Sequence, residues 1–375
     1  MGCCVSCEKG AAGERKDPAE AEKQSQIAPT ASSAEMSRLE ASKGGVHTKF
    51  ISNHGLDCTS LTYDELDVAT ERFAQKHFLG KGGFGEVYKG VLDGNHVAIK
   101  ILNPNGMQGN REFYTEVMVL SRLDHPNLVK LVGYCAEWGQ RLLVYEYMPL
   151  GSLETHIFDL SPDKKPLDWN TRMKILAGAA QGLQHLHVST DPPIINRDVK
   201  CSNILLGEGY HPKLSDFGLA KLGPTGDDTH VSTRVMGTPG YCAPEYLESG
   251  HITLRSDIYS FGVVILEVIT GRRALDQRRG KAERNLAEWA TPLINKKEYS
   301  ILADPALSGQ YSETSLVQAL AVAQLCVRKT ASQRPLITDV TAALTYISSR
   351  RRSVAFIKLF LNNYVRQFHI FDRML

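Results

Sequence analysis

The spacing of apolar residues divides the chain into a β-rich part followed by an α-rich part. Up to residue 147, short β-branched and apolar runs predict strands at 86–92, 96–102, 128–135 and 141–147, with one helix at 112–123. From residue 150, helical periodicity predicts helices at 171–187, 256–270, 316–327 and 337–347. This order predicts two lobes with a cleft between them.

The start of the ordered domain is predicted near residue 61. Thr62 and Glu65 fit a helix capping box, and Leu66, Ala69 and Phe73 continue one apolar face. Before them lies a stretch rich in Ala, Glu, Lys, Ser and Gly, which cannot bury enough apolar surface to offset its ordering entropy. We therefore predict a disordered tether over residues 1–60.

The tail at 349–375 combines a run of three arginines with a short apolar run. Such a segment is typical of a basic amphipathic helix that lies on a membrane or packs on the body of the protein. An unstructured terminus fits the same pattern, because one short apolar run is weak support for a helix. Both interpretations stay open.

Composition sets broad limits on the class of protein. The 375 residues allow one large bilobal unit with tails, and 42% of them are apolar. The net charge of +2 gives no indication of a nucleic-acid partner. The eight cysteines are three near the N-terminus and five scattered singly, as in a protein with reduced thiols. Cys4 and Cys7 form a C-x-x-C pair, but no second pair completes a zinc site.

The run Asn-Arg-Asp-Val-Lys-Cys-Ser-Asn at 196–203, with Asp-Phe-Gly beginning at residue 216, carries the clearest chemistry. Asp198 supplies a carboxylate for an attacking hydroxyl, and Lys200 supplies a cation for a migrating phosphoryl group. Asn203 and Asp216 supply an amide and a second carboxylate for magnesium. The predicted chemistry is phosphoryl transfer from a nucleotide.

A glycine-rich loop precedes this run at 80–85, with glycines at Gly80, Gly82 and Gly85. It opens no helix, as a dinucleotide-binding turn should, and lacks the Lys-Ser/Thr ending of a Walker A loop. It therefore predicts a loop that folds over a nucleotide between two strands. Lys100 follows on the next strand and needs a partner, for which Glu116 is placed. Two unrelated surface charges are the alternative.

Taken in order, the glycine loop, Val-Ala-Ile-Lys, the helix glutamate, R-D-x-K-x-x-N, Asp-Phe-Gly and Ala-Pro-Glu resemble the eukaryotic protein kinases over residues 78–347. The stretches at 109–113 and 230–238 are similar to plant receptor-like cytoplasmic kinases. The resemblance implies an α+β, bilobal protein-kinase-like fold. Its small β-rich N-lobe would span residues 61–147 and its larger α-helical C-lobe residues 148–348.

The resemblance also implies a role for each matching residue. Lys100 contacts the α- and β-phosphates of ATP, Asp198 accepts the proton of the substrate hydroxyl, and Lys200 offsets charge on the γ-phosphate. Asn203 and Asp216 hold Mg²⁺. The residues implied to bind ATP are Gly80, Gly82, Gly85, Val87, Ala98, Lys100, Glu116, Tyr145, Met148 and Leu205.

Control by phosphorylation is implied by Arg197, which in the family pairs with a phosphate on the activation loop. The candidate acceptors are Thr229, Ser232, Thr233 and Thr238. Thr238 is also similar to the threonine that lines a serine/threonine substrate site, and Lys200 is typical of serine/threonine kinases. The alternative is that Arg197 only contacts local backbone and these hydroxyls are ordinary loop polar groups.

Two structural roles are predicted outside the reacting groups. Glu245 and Arg334 are expected to form a buried ion pair, and Asp257 is expected to anchor the backbone of the catalytic loop. Two positions depart from the family pattern: Asn196 stands where His or Tyr is usual, and Pro239 stands where this subgroup often has Tyr. These two departures are the only support for an alternative interpretation, in which the protein is a weakly active pseudokinase that acts as a scaffold or decoy.

The first six residues, Met-Gly-Cys-Cys-Val-Ser, fit the N-myristoylation pattern at Gly2. One myristoyl chain binds a membrane weakly, and Cys3 and Cys4 are placed for palmitoylation. We therefore expect lipid anchoring at the cytoplasmic face of the plasma membrane. A chance hexapeptide and a cytosolic protein are the alternative. The expected partners are protein substrates, upstream receptor kinases and the membrane, without nucleic acid.

Overall fold

The computed structural model describes residues 58–349, apart from residues 83–84, 104–106 and 227, and gives only the backbone of residues 107–108. The predicted acylation motif, the Cys4–Cys7 pair, nearly all of the predicted tether and the tail from residue 350 lie outside the described residues. Within the described ranges the chain forms a β-rich lobe followed by a helical lobe, as predicted.

A six-stranded sheet forms the N-lobe, in the order β1-β5-β6-β4-β3-β2. All neighbours are antiparallel except β1 and β5. The strands are β1 (Thr59–Ser60), β2 (Phe78–Gly82), β3 (Gly85–Leu92), β4 (Asn95–Leu102), β5 (Leu131–Cys135) and β6 (Leu142–Glu146).

Two strands differ from the sequence prediction for physical reasons. Strand β5 begins three residues after the predicted start at residue 128, because Leu128 and Val129 pair with Leu214 in the other lobe. Strand β1 lies inside the segment assigned to the tether, pairing with Gly133 and Tyr134. Two residues are too few to show an alternating pattern.

The turn and the helix cap that were predicted from short sequence motifs are both present in the structure. A two-residue turn with positive φ at Asp93 and Gly94 joins β3 to β4, as an Asp-Gly hairpin should. Helix α1 (Tyr63–Ala69) has the predicted capping box: the Glu65 amide donates to Thr62 Oγ1 at 3.2 Å, and the Thr62 amide donates to Glu65 Oε2 at 2.7 Å. The helix ends before Phe73, which has a φ of 50°.

The remaining helices are α2 (Met107–Leu120), α3 (Leu153–Phe158), α4 (Trp169–Gln184), α5 (Pro244–Ser249), α6 (Leu254–Thr270), α7 (Leu286–Asn295), α8 (Tyr299–Leu302), α9 (Glu313–Cys326) and α10 (Ile337–Ser348). Helix α2 packs on the N-lobe sheet, and the C-lobe contains a buried helix, α6, that contacts α4, α7 and α9. Every residue of α6 from Ser256 to Thr270 is buried, which confirms the prediction of a buried helix there. Helix α4 continues as a π-helical turn over His185–Ser189. In the described ranges no helix combines the length and apolar content that crossing a bilayer requires.

Short strands fix the loops of the C-lobe at the cleft. They are β7 (Ile194–Ile195), β8 (Ile204–Leu206), β9 (Pro212–Leu214), β10 (Lys221–Leu222), β11 (Val231–Ser232) and β12 (His251–Ile252). The pairs are β7 with β10, β8 with β9, and β11 with β12. The loop at 196–203 therefore runs between β7 and β8, and the segment after Asp216 is held at two points. This arrangement places the predicted catalytic residues along one side of the cleft.

Candidate active site

Lys100 on β4 lies between two carboxylates, one from each lobe. Its Nζ is 2.8 Å from Asp216 Oδ1 and 3.5 Å from Glu116 Oε2 on α2. The Glu116 side chain is fully buried, and its other oxygen accepts a hydrogen bond from the Phe217 amide at 3.2 Å. Burial disfavours the ammonium, but the two carboxylates outweigh it, so the pKa of Lys100 is raised. The predicted pairing with Glu116 is present, and the shorter contact with Asp216 was not predicted.

The glycines of the loop lie where β2 pairs with β3, as predicted, with Gly82 opposite Gly85 and residues 83–84 outside the described residues. A Cβ added at Gly80 or Gly82 would meet nothing within 4 Å, so this part of the loop faces open space. At Gly85 the φ is +148°, and a Cβ would lie 1.8 Å from the Ile101 carbonyl oxygen. Only glycine fits there, which keeps the hairpin close to β4 and beside Lys100.

The residues implied to contact adenine come together from both lobes. Ala98 on β4 pairs with Tyr145 on β6. The linker after β6 runs along β8, where the Leu150 amide donates to the Leu206 carbonyl at 3.1 Å and Ser152 bridges to Leu205. This brings Leu205 below the linker that carries Met148, as a nucleotide pocket between two lobes requires. Burial, with the nearby Glu116 carboxylate, raises the pKa of the Tyr145 phenol.

Asp198 is the meeting point of the catalytic side chains. Its Oδ2 accepts from Lys200 Nζ at 2.6 Å and from Asn203 Nδ2 at 3.0 Å, and its Oδ1 accepts from Thr238 Oγ1 at 2.6 Å. Lys200 Nζ also donates to Thr238 Oγ1 at 2.9 Å. The group faces a cavity of about 270 Å³ lined by Asp198, Lys200, Leu219, Arg234, Val235, Met236, Gly237 and Thr238. A hydroxyl entering this cavity would approach the carboxylate directly.

Thr238 was predicted both as a phosphorylation candidate and as part of the substrate site. The structure commits its hydroxyl to Asp198 and Lys200. A phosphate on Thr238 would set negative charge against the Asp198 carboxylate. The geometry therefore favours the substrate-site role, and the phosphorylation of Thr238 stays an untested prediction.

Asn203 and Asp216 are a suitable pair of ligands for a divalent cation. Asn203 donates from Nδ2 to Asp198, so its amide oxygen is the atom that can face a cation. Asp216 uses Oδ1 for Lys100 and has Oδ2 to offer. No three His, Cys, Asp or Glu side chains cluster as metal ligands in the described part of the chain. Such a cage is not needed, since magnesium in nucleotide sites takes one or two protein ligands and completes its shell with phosphates and water.

Asp257, near the start of α6, anchors the catalytic loop as predicted. Its carboxylate accepts hydrogen bonds from the amides of Asn196 and Arg197, at 2.8 and 2.9 Å, and from His187 Nε2 at 2.9 Å. The unusual Asn196 is 2% exposed, and its Oδ1 accepts from the Asp198 amide at 3.1 Å. The departure from His or Tyr therefore leaves no unpaired oxygen and adds a contact to the catalytic aspartate.

The Arg197 guanidinium contacts local groups and not an acidic side chain in the described ranges, as the alternative to phosphorylation control predicted. It donates to the carbonyls of Leu219 and Arg234, at 3.2 and 3.0 Å, and to the Tyr246 hydroxyl at 2.7 Å. No carboxylate pairs with it among the residues that the structure describes. Thr233 Oγ1 donates weakly to the same Arg234 carbonyl at 3.5 Å, so Thr233 shares a partner with Arg197.

The other phosphorylation candidates lie along the same segment. Thr229 Oγ1 is 3.0 Å from His230 Nδ1, and Ser232 lies in β11, which pairs with β12. The predicted ion pair of Glu245 and Arg334, called the brace below, is present at the far side of the segment. The two terminal guanidinium nitrogens of Arg334 donate to the two oxygens of Glu245 at 2.7 and 2.6 Å.

Comparisons with known proteins agree with this geometry. The protein kinase domain family matches residues 73–344. Among relatives from Arabidopsis thaliana, serine/threonine-protein kinase PBL27 is 62% identical over 78% of this chain and 57% of its own length. Probable serine/threonine-protein kinase PBL7 is 58% identical over 85% of each chain. Serine/threonine-protein kinase PBS1 is 60% identical over 78% of this chain and 64% of its own length.

The match covers more than half of the chain and the whole of the site described above. The family uses ATP and a divalent metal ion, and its fold is the bilobal one observed here. This chain belongs to the protein kinase family and, within it, to the serine/threonine kinases of the plant receptor-like cytoplasmic group.

Proposed function

We propose that this chain is an active serine/threonine kinase, held by N-terminal lipids at the cytoplasmic face of the plasma membrane. There it would be controlled by receptor kinases and would transfer the γ-phosphate of Mg²⁺-bound ATP to protein hydroxyls. The observation that carries the catalytic part is the convergence of Lys200, Asn203 and Thr238 on the Asp198 carboxylate, beside an open cavity.

Each group has a distinct task in this proposal. Asp198 accepts the proton of the incoming serine or threonine hydroxyl and orients its oxygen. Thr238 and Lys200 hold that carboxylate in place, and Lys200 can turn its ammonium toward the transferred phosphate. Lys100 contacts the phosphates of ATP, and Glu116 limits its position. Bound Mg²⁺ would supply neutralisation of phosphate charge, held by Asn203 and Asp216.

Purified full-length protein tests the catalytic part directly. With ATP and Mg²⁺ it should label a generic basic protein substrate, while Lys100→Glu and Asp198→Asn should not. Equal labelling by all three proteins would reject the kinase proposal. Nothing in the described residues favours the pseudokinase alternative. Of its two supports, Asn196 accepts a hydrogen bond from the Asp198 amide, which speaks for a functional catalytic loop.

The membrane part depends on Gly2, Cys3 and Cys4. A myristoyl chain alone gives marginal, reversible binding, so the two adjacent thiols supply the second signal that stable anchoring needs. Gly2→Ala should move the protein from the membrane to the soluble fraction, and Cys3→Ser with Cys4→Ser should weaken retention. Membrane retention of Gly2→Ala would reject acylation and direct attention to the C-terminal tail.

Among the phosphorylation candidates, Thr233 is the one we favour for control of activity. It shares the Arg234 carbonyl with Arg197, so a phosphate on Thr233 would be within reach of the guanidinium after a small movement. Mass spectrometry after incubation with ATP should find phosphate at Thr233, and Thr233→Ala should lower activity more than Thr229→Ala does. Full activity of Thr233→Ala would remove this site from the proposal.

A further inference from the structure

The loop between α6 and α7 carries a dense group of exposed cations. Residues 276–284 read Asp-Gln-Arg-Arg-Gly-Lys-Ala-Glu-Arg. Arg278, Arg279, Lys281 and Arg284 are all exposed. We propose that this segment, the basic loop, binds an acidic stretch of the protein substrate next to the phosphorylated residue. The proposal rests on the kinase function above and adds the class of substrate.

The basic loop has a defined shape. Its base is closed where the Asp276 amide donates to the Arg284 carbonyl and the Leu286 amide to the Ala274 carbonyl, each at 3.0 Å. Arg272 connects the loop to α7, since its Nη2 donates to the Glu283 carbonyl at 2.9 Å and its guanidinium stacks 3.6 Å from the centre of the Trp289 ring. A ligand would therefore meet cations that are already positioned, which lowers the entropy cost of binding.

The base of the loop is tied to the segment that lines the substrate cavity. The Glu267 carboxylate accepts from the Tyr241 hydroxyl at 2.6 Å and from the Ala274 amide at 2.8 Å. A Cβ added at Gly240 would lie 3.1 Å from the Leu275 Cβ, so the two backbones pack closely. Tyr241 is three residues after Thr238, which binds Asp198. The basic loop is thus continuous with the wall of the cavity into which the substrate hydroxyl enters.

The cations of the loop outnumber the carboxylates that could neutralise them. The loop has two carboxylates for its four cations. Asp276 is shared by Arg278 at 3.2 Å and Arg279 at 3.4 Å. Glu283 is shared by Arg279 at 3.5 Å and Arg272 at 3.3 Å. Lys281 and Arg284 make no ion pair within the described ranges of the chain. The Arg278 side chain is 84% exposed. Burial and the charge of Arg279 lower the pKa of Arg272, a sign that like charges are crowded here.

The positive charge of the basic loop and its position beside the substrate cavity together indicate what binds there. A positive surface beside a cleft attracts carboxylates and speeds encounter with acidic partners. An anionic membrane would satisfy the same charges, but the loop is joined to the substrate cavity through Glu267 and Gly240. The basic loop is therefore assigned to an acidic substrate segment, and phosphatidylserine vesicles test the membrane alternative.

The test compares binding of three labelled peptides to the full-length protein. Each has one serine, flanked by four glutamates on its N-terminal side, four on its C-terminal side, or glutamines only. At least one acidic peptide should bind about five- to tenfold more tightly than the glutamine peptide, with the advantage decreasing as salt is raised. KM values for phosphorylation of the same peptides should follow this order.

Two triple variants identify the surface. Arg278→Ala, Lys281→Ala and Arg284→Ala together should abolish the acidic preference and leave the affinity for the glutamine peptide unchanged. The control replaces Lys174, Lys296 and Lys329 by alanine, which removes the same charge from exposed sites elsewhere on the C-lobe. It should keep the full preference.

Three results would overturn the docking proposal. They are equal affinity for all three peptides, equal loss in the test and control variants, or loss of binding to phosphatidylserine vesicles by the test variant with the peptide preference intact. The kinase proposal fails by a different result, the absence of phosphate transfer to a generic substrate. The two failures are therefore distinguishable, because the peptide affinities do not require turnover.

Discussion

Two ionic groups in the C-lobe, Arg334 and Asp198, are similarly buried and hydrogen-bonded and have different roles. Arg334 is 0% exposed and donates to Glu245 and to backbone carbonyls, so its hydrogen bonds are all made within the protein. Asp198 is 4% exposed and also paired, but it lines a cavity together with two of its donors, Lys200 and Thr238. Burial and hydrogen bonding alone do not distinguish a reacting group from a structural one. The two are distinguished by whether a second molecule can reach the group.

The sharpest test of this difference is the replacement of Asp198 by asparagine. The change removes the proton acceptor and keeps the size of the side chain. Phosphate transfer should fall by about 10²–10⁴-fold. The free energy of unfolding should fall by only about 1–2 kcal/mol, because asparagine keeps one oxygen for the donors and disturbs a single buried hydrogen bond. Steady-state kinetics and urea unfolding of the same preparation measure both. A loss of stability as large as that of a broken brace would place Asp198 with the structural groups.

The brace should respond in the opposite way. Arg334→Ala leaves Glu245 without its partner, and breaking a buried pair typically costs about 3–5 kcal/mol. The melting temperature should fall clearly, and activity per folded molecule should stay close to normal. Lys329→Ala, an exposed cation nearby in sequence, serves as the control. An Arg334→Ala protein of normal stability would contradict a structural role for the pair.

A further buried group, Glu267 on α6, binds Tyr241 in the segment next to the substrate cavity and adds a pH dependence. Burial raises the pKa of Glu267 from 4.5 to about 7, against the hydrogen bond from Tyr241. Because the folded state keeps this proton longer than the unfolded state does, its contribution to stability is full below pH 4.5. That contribution is lost as the pH rises through about 7.

Urea unfolding of Glu267→Gln at a series of pH values isolates this contribution. Between pH 4.5 and 7.5, the stability of the variant relative to the wild type should rise by up to about 3 kcal/mol, because glutamine has no proton to lose. Tyr241→Phe, which removes the donated hydrogen bond and keeps the carboxyl, should retain a pH-dependent stability. Parallel pH curves for the wild type and Glu267→Gln would show that the carboxyl does not titrate in this range.

Sequence predicted most of what local chemistry encodes. The capping box at Thr62, the Asp-Gly turn and the buried helix α6 follow from residues that are close in the chain, and all are present. The order of motifs was enough to place Asp198, Lys200 and Asn203 in one loop. The family resemblance then assigned each of them a role.

Contacts between distant segments were predicted only where the family resemblance implied them, as for Glu245 with Arg334, and other distant contacts were missed. Lys100 and Asp216 are 116 residues apart, and their 2.8 Å contact depends on how the two lobes meet. Thr238 reaches Asp198 across 40 residues because β11 pairs with β12 and holds the intervening segment. Strand β1 is two residues long and gains its order from β5. In each case the contacting residue is brought close by the tertiary structure, and the local sequence pattern contains no information about that contact.

The smallest expected effect concerns Asn196, which shares features with both the structural and the catalytic group. It is buried like the brace, yet its Oδ1 bonds the amide of the catalytic Asp198. Asn196→Ala leaves that amide unsatisfied and should cost about 1–2 kcal/mol of stability. If the contact also orients Asp198, kcat should fall while KM for ATP stays unchanged, which a purely structural role would not produce. Asn196→His restores the residue usual in the family. Normal kcat in the alanine variant would place Asn196 with the brace.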